Sequence, residues 1–302
     1  MTEEMEYINC SLCGSDEAQF LFARGSSNIV RCKKCGLVYH NPRKSEDKEL
    51  ALYRSSRISQ KEVDRIRNAR LKIFEETLAK IENHKRGKLL DIGCGFGDFL
   101  KIVRDKGWEG YGVELSREAV DFATNRLKLN VFEGTLKEAH FPDEFFEVVT
   151  LFNVLDHLCN PLEGLYEIER VLKRSGTIFI RTPNVTFHLL SRHIYQITQS
   201  VYKRVKGFAQ KVDFKEPTIF HLYGFSANTL REMLRKTGFK EIHITNSILS
   251  SGDPYSSTRL FSPRAVGLVK KLVYTFAQVI FYLTFGRLIL SSSLETFAKK
   301  SD

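Results

Sequence analysis

The sequence predicts an α/β protein: a doubly wound, largely parallel sheet, preceded by a small four-cysteine module and interrupted towards the C-terminal end by helical insertions. Three observations predict it. Residues 88–116, KLLDIGCGFGDFLKIVRDKGWEGYGVELS, read as strand, glycine turn, helix and second strand. Residues 146–152 are a nearly continuous apolar run, as a parallel strand covered on both faces requires. Cys10, Cys13, Cys32 and Cys35 fall in the pattern C-x2-C-x18-C-x2-C, the spacing of a tetrahedral thiolate site.

The chain has 302 residues, 42% apolar and 12% aromatic, enough for a sizeable core, and this composition excludes a disordered chain. The opening MTEEMEYINC is acidic and lacks the basic start and apolar run of a secretory signal, so a cytoplasmic protein is expected. Six cysteines in such a chain point to metal or free thiols rather than a disulfide framework. The net charge of +10 is carried by the last third, where residues 184–302 hold 17 basic against 7 acidic side chains. A basic region of this kind suits nucleic acid, anionic lipid or a phosphate-bearing substrate, or is an ordinary solvated face.

Taken in order, residues 1–42 are expected to form a zinc ribbon. Each cysteine pair brackets a knuckle followed by glycine, Gly14 and Gly36, so that backbone N–H groups can point at the sulfurs. Two short strands about a Gly-Ser turn join the pairs. Four thiolates leave no open coordination position, so the expected zinc is structural, with Cys10, Cys13, Cys32 and Cys35 as its ligands. Residues 43–86 read as a polar linker followed by a helix over 61–84, with Val63, Ile66, Ala69, Ile73, Leu78 and Ile81 along one side. The remainder, 87–302, is the main domain, with insertions at 185–222 and 255–290.

In the opening motif the glycines run Gly93, Gly95, Gly97, which departs from the dinucleotide spacing G-x-G-x-x-G, and an acid, Asp91, stands two positions before the first. A second acid, Glu114, ends the next strand. The run DIGCGFG followed by GVELS resembles the first two motifs of the class I S-adenosylmethionine-dependent methyltransferases. The resemblance implies a Rossmann-like sheet of seven strands, the last antiparallel and slotted between the fifth and sixth. It also implies that Asp91 serves the methionine end of S-adenosylmethionine and Glu114 its ribose. Gly93, Cys94, Gly95, Gly97, Leu115, Thr135, Leu136 and Asn153 are the further cofactor-lining positions. Thr135 stands where many class I enzymes carry an Asp for the adenine amino group. In the resembled fold the helix before the first strand lies over the cofactor mouth, from which Tyr53 and Arg70 can reach the methionine end.

At the carboxyl end of the 146–152 strand come Asn153, Asp156 and His157. In the resembled family this tip faces the transferred methyl, which makes His157 the first candidate general base, against the alternative of a histidine that merely caps the loop. The insertion over 185–222 carries Phe187, Leu190, Ile194 and Ile197 at helical spacing with Arg192 beside them, and insertions here usually cover the site and choose the substrate. His221 and Tyr223 follow as a second pair of acid/base or substrate-binding candidates, with core packing as the alternative. Ser226 caps a helix that Gly238 closes, and residues 240–248 form the sixth strand.

Residues 264–290 are apolar, but only the 15 residues from 272 to 286 lack a charge, short of the ~20 that a spanning helix needs. A buried or interfacial helix is expected, with Arg264, Lys270, Lys271 and Arg287 available to anionic headgroups, or else a packing or dimer surface. Residues 290–300, LSSSLETFAKK, resemble the seventh strand. The expected partner is a small-molecule acceptor, since similar zinc-ribbon methyltransferases act on sugars and other metabolites of glycan and natural-product pathways. The alternatives are RNA or protein methylation through the ribbon, or a non-catalytic cofactor-binding scaffold. Against nucleic acid, the basic excess is C-terminal and interleaved with apolar stretches, without aromatic stacking platforms.

Overall fold

The structure is a computed structural model that describes residues 5–55, 57, 59–81, 86–206, 220–249 and 263–301. It begins with β1 (Met5–Glu6), β2 (Ala18–Arg24), β3 (Ser27–Cys32), β4 (Val38–His40) and β5 (Arg43–Lys44). β2, β3 and β4 form an antiparallel meander, the two strands and turn expected between the cysteine pairs plus one more, while β1 pairs with β5. Residues 46–49, read from sequence as linker, are instead the first turn of α1 (Glu46–Arg54). Glu46, Asp47 and Glu49 sit in that turn and Arg54 in the last, so both ends complement the helix dipole. α2 (Gln60–Ile81) follows, with Val63, Ala69, Ile73, Leu78 and Ile81 buried as their spacing requires.

The main sheet then assembles from β6 (Lys88–Ile92), α3 (Asp98–Asp105), β7 (Glu109–Glu114), α4 (Arg117–Asp121), β8 (Asn130–Glu133), β9 (Phe146–Phe152), α5 (Pro161–Val171), β10 (Leu172–Pro183), α6 (Val185–Lys206), β11 (Tyr223–Gly224), α7 (Ala227–Lys236), β12 (Phe239–Asn246), α8 (Pro263–Leu283) and β13 (Ser293–Lys300). Its seven strands, drawn from the described residues, run in the order β12-β13-β10-β9-β6-β7-β8. β13 is antiparallel to both neighbours and lies between β10 and β12, as the resemblance implies. The order reverses between β6 and β9, which pair parallel from Leu89 to Ile92, and this switch point opens a crevice at the carboxyl ends of the strands.

β10 begins earlier than the sequence indicates. Helical spacing extends to Arg174, but α5 stops at Val171 because Leu172 already pairs with Phe146 of β9. Glu147 holds the neighbouring chain there, paired with Lys173 and accepting the Lys88 N–H. α7 behaves as its punctuation predicts: Ser226 and Thr229 form a reciprocal capping box, Leu230, Met233 and Leu234 are fully buried, and Gly238 leaves the helix with φ of 84°.

The cysteine module is not a bead on a string. β11, contributed from beyond the 185–222 insertion, pairs antiparallel with β4, so the module's sheet runs β11-β4-β3-β2. Cys10, Leu12, Val30, Leu37 and Tyr39 pack into the same apolar cluster as Leu90, Leu151, Leu155 and Phe225 of the main domain. Lys236 of α7 donates to the Leu12 carbonyl at 2.8 Å. On the helical insertions, Leu190, Ile194 and Ile197 of α6 are exposed, and the expected positions 198–211 and 255–270 lie outside the described side chains.

Candidate active site

The glycine turn sits at the carboxyl end of β6. Gly93, Gly95 and Gly97 have φ of 65°, 55° and 80°, the left-handed region that glycine enters without steric cost. A Cβ at Gly93 would lie 2.5 Å from Val154, directly after the β9 tip, whereas the same position at Gly95 meets nothing within 4 Å. The loop is thus closed against the tip on one side and open on the other. Glu114 holds its outer edge: one carboxylate oxygen accepts the Gly95 N–H and the other the Ser116 N–H, both at 2.9 Å. Cys94 is buried under the turn, Leu115 is half-buried beside Glu114, and Leu136 is buried with Thr135 partly covered next to it. The Thr135 N–H donates to Glu138 at 2.7 Å.

Asp91 lies beneath the turn, 3% exposed, and accepts from Thr150 Oγ1 at 2.7 Å. Burial pushes its carboxyl up to about 7; the Thr150 hydroxyl pulls the other way, Glu114 adds to the rise, and Arg70 of α2 opposes it. A glycine turn that lets a ligand approach the backbone closely, a buried carboxyl and an acid at the loop's outer edge fit S-adenosylmethionine, whose charged methionine end would face the carboxyl and whose ribose would meet Glu114.

At the β9 tip, Asn153 takes φ of 56° and receives Arg181 Nη1 on its side-chain oxygen at 2.7 Å. Asp156 follows, 1% exposed. His157 Nδ1 meets the Tyr53 hydroxyl of α1 at 2.6 Å, and its Nε2 lies 3.6 Å from Asp156. The His221 ring lies against His157 with centroids 3.7 Å apart and planes tilted by 30°, and its backbone N–H faces Asp156 Oδ2 at 3.4 Å. Burial pulls His157 down to about 4, with the Arg70 charge adding to it. Burial and the neighbouring His157 lower His221 as well, so both rings are neutral at physiological pH and hold a lone pair for a proton. The structure brings His157 and His221 together, which the sequence, with 63 residues between them, does not.

Tyr223 is placed differently. It is 1% exposed, its hydroxyl donates to the Cys159 carbonyl at 3.0 Å, and it accepts from Arg43 Nη1 at 2.9 Å. The core-packing alternative describes it: Tyr223 pins β11 and the module to the 155–159 turn. Arg43 does the same from β5, donating to Cys159 O at 2.6 Å and pairing with Glu6. Arg43, Thr150 and Arg181 carry no sequence signal that separates them from ordinary strand residues.

The four cysteines converge. Their Sγ atoms all lie within 4.8 Å of one another, with Cys10–Cys35 and Cys13–Cys32 at 3.4 Å, near the edge of about 3.8 Å in a tetrahedron of ~2.3 Å metal–sulfur bonds. Backbone N–H groups of the knuckles reach Cys10 and Cys32, and Gly14 and Gly36 close the turns with φ of 74° and 80°.

A seven-stranded sheet of this order, with a glycine turn and paired acids at its switch point, defines a class I S-adenosylmethionine-dependent methyltransferase. Residues 62–244 match the family model described as a methyltransferase domain, and the chain belongs to that family. It is 30% identical over 183 residues to an uncharacterized protein of Methanocaldococcus jannaschii, covering 60% of this chain and 78% of that one. It is 23% identical to the demethylmenaquinone methyltransferase of Chlorobaculum parvum, covering 60% and 77%. Among solved structures, a chain of the complex between the Haloferax volcanii Trm112 methyltransferase activator and a methyltransferase shares the fold at a TM-score of 0.56. There the identity is 17% and the coverage 85% of this chain and 98% of that one.

Proposed function

We propose that this methyltransferase acts on a small molecule, a sugar or related metabolite, with His157 or His221 taking the acceptor's proton. The observation that carries the reading is the imidazole pair at the β9 tip, 3.7 Å between centroids, with Val154 of the same tip against Gly93 of the cofactor loop. The name of the Chlorobaculum relative refers to a quinone acceptor rather than to RNA or protein, which supports a non-polymeric acceptor. The bound cofactor supplies a methyl on a sulfonium, already a good leaving group, so the chain's own residues mainly align two reactants and remove a proton. Asp91 and Arg70 set the charge at the methionine end, Glu114 takes the ribose hydroxyls, and Tyr53 fixes the His157 ring through Nδ1. Isothermal titration with S-adenosylmethionine should show one binding site, and a methyl-transfer screen over sugars, small metabolites and RNA should label a small molecule. Labelling of RNA alone would overturn the substrate class, and titration without binding would remove the enzyme reading.

The four-cysteine site is read as structural zinc: an all-sulfur tetrahedron suits zinc and offers no open position. Metal analysis should find one zinc per chain, and none would sink the assignment. Among the described residues no helix is long and apolar enough to cross a membrane. α8 nevertheless exposes Leu272, Phe276, Val279 and Leu283 at helical spacing, with Lys271 exposed near its middle and Arg287 exposed just past its C-terminal end. No acidic residue occurs from 254 to 294. This face suits peripheral contact with an anionic bilayer from the cytoplasmic side. Flotation with phosphatidylglycerol vesicles should recover the protein at low salt and less of it at high salt; no recovery at either would retire the contact.

A further inference from the structure

A cavity of about 360 Å³ opens between the cysteine module and the segment that carries His221. Its walls come from three places: Arg24 and Ser27 of the β2–β3 hairpin, His40 and Arg43 at the end of the meander, and Phe220 to Leu222 ahead of β11. None of these module residues belongs to the cofactor loop or to the four-cysteine site. His221 is among the lining residues, and its ring lies against His157 with centroids 3.7 Å apart. A molecule held here is therefore one imidazole away from the β9 tip.

The lining is cationic. Arg24, Arg43 and Lys44 face it against the single carboxylate of Glu49. Arg43 is engaged elsewhere, with Glu6, Tyr223 and the Cys159 carbonyl. Arg24 is not: its guanidinium donates to the Phe220 carbonyl at 3.2 Å, and no carboxylate pairs with it among the described residues. A half-buried guanidinium has four more N–H groups to satisfy and a charge that water only partly screens, which is the arrangement that a bound anion completes.

His40, also in the lining, is held neutral by its surroundings. The Ser27 hydroxyl donates to the Pro42 carbonyl at 2.5 Å, so its contact with His40 Nδ1 at 3.1 Å requires the imidazole N–H to be the donor. That tautomer leaves Nε2 with a lone pair, and Nε2 is buried without a partner. Burial, and the charge of Arg24 second to it, holds His40 down at about 4, which keeps that lone pair free near neutral pH.

We propose that this cavity binds the acceptor through an anionic group on Arg24, with His221 of its lining placed to take the acceptor's proton. The ligand class is an anion, for a sugar acceptor one bearing a phosphate or carboxylate. This rests on the methyl-transfer reading above and narrows its substrate. It also gives the module a role that a closed metal site lacks, since the metal fixes the hairpin and the meander that form two of the cavity's walls.

The test uses the full chain with its metal, saturated with S-adenosylhomocysteine. Calorimetric titrations with glucose 1-phosphate, glucuronate and glucose are followed by the imidazole resonances of His40 and His221. At least one of the two anions should bind and shift both resonances, phosphate and carboxylate being told apart by which does; glucose should bind at least tenfold more weakly. Arg24→Gln should weaken the anion by about 10- to 100-fold, as expected for a charge-assisted hydrogen bond, and Arg24→Lys should recover part of it. S-adenosylmethionine affinity should stay within about twofold in both variants, which shows that they fold. Binding by neither anion, or equal binding by Arg24→Gln, overturns the cavity assignment while leaving methyl transfer intact. Anion binding by a chain that fails to bind S-adenosylmethionine would keep the cavity and remove the enzyme reading.

Discussion

The two sides of this site are built in opposite ways. The donor side is one contiguous stretch: Asp91, the three glycines and Glu114 all fall within residues 88–116, and the loop closes on itself through Gly95, Ser116 and the Glu114 carboxylate. The proposed acceptor side is assembled from three distant segments: α1 brings Tyr53, the β9 tip brings His157, and the approach to β11 brings His221. A contiguous site depends on local backbone geometry and tolerates little change in place. A composite site depends on whatever holds its segments together, here the module sheet with β11 paired to β4. Damage to the two sides should therefore separate experimentally.

The largest expected effect is on the acceptor side. His157→Ala removes a lone pair at the reacting face and should lower turnover by about 10²- to 10⁴-fold, the usual worth of a positioned general base, with S-adenosylmethionine affinity unchanged. Unchanged turnover would move the role to His221, whose ring lies 3.7 Å away. Loss of cofactor affinity in the same variant would break the comparison, because the two sides would then be one.

Cys32→Ser should sharpen it. With one of four sulfurs gone, metal content should fall from one per chain towards none, and turnover should drop by about 10- to 100-fold, in the range found for disturbed metal shells. The route is structural: the meander holds β11, and the residue just before it, Leu222, donates to the Asp156 carbonyl at 2.8 Å. Cofactor affinity should be retained, since the 88–116 loop closes on itself through the Glu114 carboxylate. A variant that loses metal yet keeps full turnover would show that the module does not set His221.

How much could be read in advance follows the same division. The sheet, the position of β13 between β10 and β12, the glycine turn and the two acids were legible because each is written in adjacent residues with a fixed period or spacing. The cysteine site was legible because thiolate ligands are rare and come in pairs. The partnership of His157 with His221 was not, since nothing in either local sequence specifies a neighbour 64 positions away; β-pairing of Tyr223 and Gly224 with the module decides it. Tyr223 reads from sequence as an acid/base or substrate-binding candidate or as core, and only the fold shows that Arg43 and the Cys159 carbonyl occupy its hydroxyl. Residues 46–49 read as linker because three acids among four residues suggest solvent, yet at a helix N-terminus those acids are favourable.

On the donor side, Gly93→Ala should weaken S-adenosylmethionine by about 10- to 100-fold. The new Cβ would meet Val154 at 2.5 Å in a left-handed backbone, two costs of roughly 1–2 kcal/mol each. Gly95→Ala carries the backbone cost without the clash and should be milder when measured by titration. Equal losses at both positions would mean that the Val154 contact contributes nothing.

The smallest effect is one of pH, and it tests the electrostatics of the donor loop alone. Burial raises Asp91 to about 7, whereas an unfolded aspartate ionises near 4. Between those values the native chain holds a proton that the unfolded chain has lost, so the unliganded protein should lose stability as pH rises through that window. A cationic ligand reverses the preference, because it favours the ionised carboxylate. S-adenosylmethionine affinity should therefore rise with pH, by about tenfold from pH 6 to pH 8, as the ionised fraction of a group at about 7 climbs from roughly a tenth to nine tenths. Titration calorimetry across that range in wild type and Asp91→Asn provides the check. The variant should bind weakly and without slope, whereas a wild type without slope would mean that Asp91 is already ionised, held so by Arg70 and Thr150 against its burial.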